Sequence, residues 1–279
     1  MYRIIIDSCG ELFSHMKGDE HFTNVPLTLE VDGVTITDDE SFDQADFISR
    51  VKASAKGPKS SCPSPGAFLK EIKKEAERIY IVTLSSRLSG SYNSALVAKR
   101  MYEEENGDDK EIHVFDSCSA SIGESLIGMK VDECEKKGMS FDKIVSAVES
   151  YITEQHTFFC LETLETLRKA GRLSAIKEMI ANTLHIKPVM GSTPEGEIQK
   201  LAQVRGMNKA LAKMAECMVS VTKNCGEKVL AISHCNCYER AMKLKEEVEK
   251  RASFKDIFVV DTNGVSTMYA NDGGLIMVV

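Results

Sequence analysis

The sequence predicts an α/β fold in two units: a mainly parallel sheet flanked by helices, followed by a smaller α/β domain with a hairpin. Three observations carry that expectation. The runs "RIIID" (residues 3–7), "RIYIVTL" (78–84) and "EIHVFD" (111–116) are short, rich in Ile and Val, and end in turn-forming residues. Helical patterns at 42–54, 67–77 and 92–105 lie between or beside them, and strands alternating with helices imply right-handed crossovers. Beyond residue 156 the character changes, and "IKPVMGSTPEGEIQKLAQV" (186–204) reads as two strands joined by the tight turn Pro194-Glu195-Gly196.

The remaining elements follow in order. The stretch "NVPLTLEVDGVTIT" (24–37) reads as a hairpin turning at Asp32-Gly33. Helices at 124–137 and 142–155 close the first unit. A boundary near 156 divides the chain into 1–155 and 156–279, although no Pro/Gly-rich linker marks it. In "TFFCLETLETLRKAGRLS" (157–174) a strand leads into a short helix ending near Gly171. A helix at 207–223, a strand at 228–233, a helix at 238–251 and a strand at 254–260 complete the second unit.

Composition narrows the function classes. The 279 residues carry 35 basic and 42 acidic side chains, net −7, so a basic nucleic-acid footprint is absent. The longest apolar runs, such as 4–6 and 275–279, are strand-length and cannot span a bilayer, so no stable membrane insertion is expected. Asp7 and Glu11 interrupt any signal-peptide core near the start, which suggests a cytoplasmic protein. Nine cysteines without Cys-x-x-Cys or His/Cys clusters read as reduced, mostly buried thiols. The nearest approach to a metal motif, Cys235-Asn236-Cys237 beside His234, has poor spacing for zinc, and no metal is expected; a redox-active or metal-binding module there is the outlying reading.

Chemistry concentrates at two serine-rich helix entrances. In "SSRLSGSYNSA" (85–95), Ser89 and Gly90 fall just before a helix beginning near Ser91. A helix N-terminus offers unpaired N–H groups and partial positive charge, and Gly90 lets backbone approach a ligand without a Cβ in the way. In "KSSCPSPGAF" (59–68), Ser64 and Pro65 are a good N-cap and N1 pair, which leaves Ser60 and Ser61 unneeded for capping. Phosphate loops, dinucleotide fingerprints and the hydrolase elbow Gly-x-Ser-x-Gly are all missing. Two stiff hydroxyl-bearing entrances with little cationic charge suit a small, singly charged anion such as a carboxylate. The alternative is an acyl-ester hydrolase or acyltransferase using Ser89 with His234 as its base. A weak echo also stands out: "IIIDSCGE" and "HVFDSCSA" each end a strand in Asp-Ser-Cys, so Asp7 and Asp116 are either turn caps or functional strand-end residues.

Seven motifs in order extend this reading: "IIIDS" (4–8), "SSCPSPGAF" (60–68), "LSSRLSGSYNSA" (84–95), "VFDSCSASIGESLIG" (114–128), "LETLETLRKAGRLS" (161–174), "LHIKPVM" (184–190) and "ISHCNCYERA" (232–241). Through them the chain resembles, nearly end to end, the DegV family of fatty-acid-binding proteins, the lipid-binding subunits of bacterial fatty acid kinase. The resemblance implies one long-chain fatty acid in a buried tunnel and no other cofactor. It implies a carboxylate held by the residues here numbered Ser60, Ser61 and Ser89, with Gly90 beside them. It implies that Arg172, in "KAGRLS", docks the kinase catalytic subunit, and that the protein presents substrate without doing chemistry itself. Where the family often has a histidine reaching the carboxylate, this chain has Tyr269, which donates a hydrogen bond but carries no positive charge at neutral pH. Thirteen methionines, eleven phenylalanines and no tryptophan suit a deformable acyl tunnel and an ordinary core equally.

Overall fold

The computed structural model describes residues 1–173 and 186–279. Ser174, Leu184 and His185, which belong to two of the seven motifs, lie outside the described residues. The first part contains β1 (Tyr2–Asp7), β2 (Phe22–Val25), β3 (Thr28–Val31), β4 (Val34–Thr37), α1 (Gln44–Ala53), β5 (Lys59–Ser61), α2 (Pro65–Ile72) and β6 (Arg78–Thr83). It continues with α3 (Ser91–Asn106), β7 (Glu111–Asp116), α4 (Ile122–Lys136) and α5 (Phe141–Glu154). Then follow β8 (Thr157–Cys160), α6 (Glu165–Lys169), β9 (Ile186–Ser192), β10 (Ile198–Arg205), α7 (Met207–Val221), β11 (Val229–His234), α8 (Tyr238–Glu249), β12 (Asp256–Asp261), α9 (Gly264–Ala270) and β13 (Leu275–Val278).

The predicted parallel sheet is present, in the order β2-β1-β6-β7, with every pairing parallel. Its strands read as continuous apolar runs because both faces are covered. Ile5 packs with Phe68, Ile72 and Ala98 under α2 and α3, whereas Ile4 and Ile6 face Leu126 and Val131 of α4. Ser64 caps α2, its hydroxyl accepting from the Ala67 N–H at 3.3 Å, and Pro65 opens the helix as the sequence suggests. A second, mixed sheet runs β10-β9-β8-β13-β11-β12. Only β11 and β12 pair in parallel; β9 and β10 form the expected antiparallel hairpin, with a bulge between Lys200 and Ala202.

Three elements differ from the sequence reading. The hairpin expected over 24–37 is confined to β3 and β4, which do turn at Asp32 and Gly33, both at positive φ. Asn24 and Val25 belong instead to β2, alongside β1. Pro26 separates the two assignments, since it cannot donate to a ladder. Strand β5, only "KSS", has no apolar pattern to announce it, yet it pairs with β3 through Ser60 opposite Leu29 and Ser61 opposite Thr28. Helix α9, "GVSTMYA", starts on glycine and is rich in residues that form helices poorly. It stands because the buried Asp38 carboxylate accepts from the Gly264 and Val265 N–H groups at 2.6 and 2.9 Å.

Candidate functional site

The carboxyl ends of β1, β6 and β7 open toward one face of the second sheet, and α9 lies across the gap. A cavity occupies the space between them, with Cys9, Leu84 and Ser119 on the strand-end side. Phe159, Gly191 and Ile276 face it from the second sheet, while Leu88, Arg172 and Tyr269 also line it. The space that a water-sized sphere can occupy there is about 100 Å³.

The wall is more apolar than its residue types suggest, because most of its hydroxyls are spent on protein partners. Ser119 Oγ and Thr157 Oγ1 bond each other at 2.6 Å. Ser121 donates to Glu11 at 2.7 Å and bonds Ser233 at 2.8 Å, while Ser266 donates to the Cys9 carbonyl at 3.1 Å. Carbon and sulfur remain to face the space. The β9–β10 turn closes one side: Ser85 donates to the Gly196 carbonyl at 2.9 Å, and Gly196 packs on the Cys118 backbone.

One margin gathers residues from distant parts of the chain. Tyr269 lines the cavity and bonds Ser60 on β5, oxygen to oxygen at 3.0 Å. A Cβ placed on Gly90 would sit 3.1 Å from the Cys62 sulfur, so the β5–α2 loop adjoins the start of α3. Ser89 is half-buried next to Leu88, and its hydroxyl accepts the Ser91 N–H at 3.2 Å. Ser61 is exposed on the β5 edge. Arg172 stands in the cavity wall, donating from Nε to the Leu88 carbonyl at 3.1 Å and from Nη1 to the Ala170 carbonyl. Of the residues singled out from sequence, Ser60 and Tyr269 are thus joined directly, and Gly90 and Arg172 adjoin the loops that carry the others.

Behind this margin lies a set of buried carboxyls that sequence reasoning did not single out, apart from Asp7. Asp38 holds α9 and also accepts from Ser8 at 2.9 Å. Glu11 accepts from the Asn263 N–H at 3.3 Å, just ahead of α9. Burial pushes Glu11 up to about 7 and Asp38 up to about 6. No local pattern marks Asp38, whose partners on α9 lie more than 220 residues away.

Ser89 and His234 are not brought together: no hydrogen bond joins them among the described residues. His234 is buried at the end of β11, paired through Nδ1 with Asp261 at 3.1 Å and edge-on to Tyr238. Burial lowers its pKa. The Cys235 and Cys237 thiols are pushed up to about 12 and about 11 by burial, which keeps them protonated. Among the described residues, no group of three or more His, Cys, Asp or Glu side chains is arranged to hold a metal. None of the helices among them is long and apolar enough to cross a membrane.

Comparison with known proteins places this architecture. The model of the DegV family matches residues 1–278. A DegV domain-containing protein of Streptococcus gordonii is 32% identical over 279 residues, covering 99% of this chain and 98% of its own. Among solved structures, a DegV family protein from Ruminococcus gnavus, refined with vaccenic acid, is 52% identical with a TM-score of 0.97, covering 100% of this chain and 99% of its own. The Streptococcus pneumoniae fatty acid kinase (Fak) B3 protein, loaded with linoleic acid, is 30% identical with a TM-score of 0.90, covering 100% and 98%. A family match that leaves one residue of the chain uncovered, with solved relatives aligning over the whole chain, makes the chain a member of the DegV family.

Proposed function

We propose that this protein binds one long-chain fatty acid in the cavity and presents its carboxylate to a fatty acid kinase. The observation that carries the reading is an apolar-walled cavity edged by the Ser60–Tyr269 hydroxyl pair. Ser60, Ser61, Ser89 and Tyr269, with backbone at Gly90, form the head-group seat. A carboxylate there accepts from hydroxyls and from the N–H groups opening α3, where the helix dipole favours negative charge. The tail supplies most of the affinity: each buried CH₂ contributes roughly 0.8 kcal/mol, so a chain of about sixteen carbons outweighs any few hydrogen bonds. The head group selects and the tail holds.

The protein's part is to hold and orient substrate; the kinase supplies the groups that form the acyl phosphate. The R. gnavus and S. pneumoniae relatives hold fatty acids, and the naming of the latter supports the kinase partnership. Arg172 suits a docking role beside the seat, since among the described residues its bonds to carbonyls use Nε and Nη1 and leave Nη2 for a partner. We assign the division into units to 1–155 and 156–279, with the ligand between them.

Mass spectrometry of organic extracts from the purified protein tests the reading. A co-purifying long-chain fatty acid, or uptake of added oleate or palmitate, is the expected result. Failure of both overturns it.

A further inference from the structure

The two Asp-Ser-Cys strand ends flank the segment 84–91, which carries Leu88 and Ser89. A plain turn cap bonds only its own turn. Both aspartates do this: Asp7 Oδ1 accepts the Cys9 N–H at 3.1 Å, and Asp116 Oδ1 accepts the Cys118 N–H at 3.2 Å. Each also reaches out of its turn to the same distant segment. Asp7 Oδ2 accepts the Leu84 N–H at 2.9 Å and the Ser91 hydroxyl at 2.5 Å, so one oxygen ties both ends of 84–91 together. Asp116 Oδ1 accepts the Ser86 N–H at 3.0 Å, gripping the segment from the neighbouring strand.

The consequences run straight to the seat. Ser91, anchored by Asp7, donates its N–H to the Ser89 hydroxyl and so sets that hydroxyl's direction. Within the segment, Leu88 and Ser89 close a turn on the Ser85 carbonyl at 2.9 and 3.0 Å. Leu88 in turn offers its carbonyl to Arg172. Burial pushes the Asp7 pKa up, and its donors, the Ser91 hydroxyl, the Leu84 N–H and Glu124 among them, pull it back down. Glu124 is wholly buried, and as a carboxylate neither of its oxygens finds a donor among the described residues. As a neutral acid it has Asp7 to donate to, and burial together with the Asp7 and Glu11 charges raises its pKa far enough to keep that proton.

We propose that Asp7 and Asp116 are positioning residues for the head-group seat, clamping segment 84–91 so that Ser89 and the opening of α3 meet a ligand carboxylate in a fixed geometry. This rests on the fatty-acid reading above. They act on a carboxylate directly, through Ser89 and the N–H groups; the same segment carries Leu84 and Leu88 of the cavity wall, so the tail is affected too, but less than the head group.

The two aspartates differ in what an amide would do. Both Asp116 bonds end on Oδ1, so Asp116→Asn retains an acceptor for each, whereas Asp116→Ala retains none. Asp7 uses both oxygens, so Asp7→Asn turns an NH₂ toward an N–H or hydroxyl donor.

The test is competition binding of oleic acid and oleyl alcohol, which share a tail and differ at the head, to the delipidated full chain. Wild-type protein that fails to prefer the acid overturns the fatty-acid seat itself. With that preference present, Asp7→Asn and Asp116→Ala should weaken oleic acid about tenfold or more and leave oleyl alcohol within about twofold, and Asp116→Asn should recover most of the loss. Acid and alcohol falling together, or an Asp116→Ala protein with undiminished preference for the acid, would overturn the clamp. The half-buried Asp116 pair of variants keeps the test decisive where Asp7→Asn does not fold.

Discussion

Replacing Tyr269 with Phe removes one oxygen from the proposed head-group seat and little else. The ring is half-buried and packs between two apolar clusters, one containing Val265 and Met268 and the other containing Leu161 and Ala270. Phe keeps those contacts, so α9 and the cavity wall should stand unchanged. What is lost is the hydroxyl that lies 3.0 Å from Ser60 and, in the proposed complex, donates to the carboxylate. A hydrogen bond to a charged group is worth about 1.5–3 kcal/mol, and each 1.4 kcal/mol is tenfold in affinity. Tyr269→Phe should therefore bind oleate roughly 10- to 150-fold more weakly, while oleyl alcohol loses much less. Displacement of a fluorescent acyl probe, titrated with both ligands, gives the two constants. Tyr269→His, which restores a donor, should recover much of the loss. Ser60→Ala should shift affinity in the same direction, and the double variant should fall short of the sum because the two hydroxyls share one bond. Oleate binding to Tyr269→Phe at wild-type strength would refute the seat, since no other change is available to compensate for the missing donor.

Three further outcomes follow from other parts of the molecule. Gly196 has φ of +81°, and an added Cβ would lie 2.3 Å from the Ser85 hydroxyl and 2.7 Å from the Cys118 Cα. Gly196→Ala should cost about 2–5 kcal/mol in urea unfolding, from left-handed backbone plus overpacking; Gly18→Ala, at φ of +82° in open space, should cost about 1–2 kcal/mol, and equal losses would remove the packing argument. A carboxyl whose folded pKa exceeds its unfolded value stabilises the fold fully below the unfolded value, near 4, and that contribution is lost as pH rises through the folded value. With Glu11 at about 7 and Asp38 at about 6, unfolding free energy should therefore fall between about pH 4.5 and 7. Glu11→Gln should flatten that fall by up to about 3 kcal/mol; the half-buried His156 and the buried His234, whose lowered pKa values act oppositely, are common to both proteins, and identical slopes would refute the assignment. Arg172→Ala should retain fatty acid but fail to support its phosphorylation by a cognate kinase; loss of the lipid itself would move Arg172 from docking to the cavity.

Much of the frame is legible because it is local. The apolar runs ending at Asp7, Leu84 and Asp116 announce strands, and Ser64-Pro65 announces a helix start, since each signal lies within a few residues of its effect. The margin of the cavity is less legible because it is assembled from positions about 60, 89 and 269, whose proximity depends on how β5 and α9 are held. Neither element is specified by its own sequence. β5 exists by pairing with β3, and α9 by accepting a cap from Asp38, a residue with no signal of its own in the chain.

The paired Asp-Ser-Cys motifs mark where local reading stops. From sequence, a cap and a functional aspartate look the same, because each places a short acceptor after a strand. The distinction lies in the second acceptor position, and only the parallel order β1-β6-β7 decides what stands before it. With β6 between the other two strands, the segment leaving it passes between both aspartates, and each has one bond for its own turn and at least one for that segment. A turn cap becomes a clamp through sheet order alone. For that reason Asp116→Ala against Asp116→Asn is the sharper comparison: both remove the charge, and they differ only in whether an acceptor remains for Ser86 and Cys118.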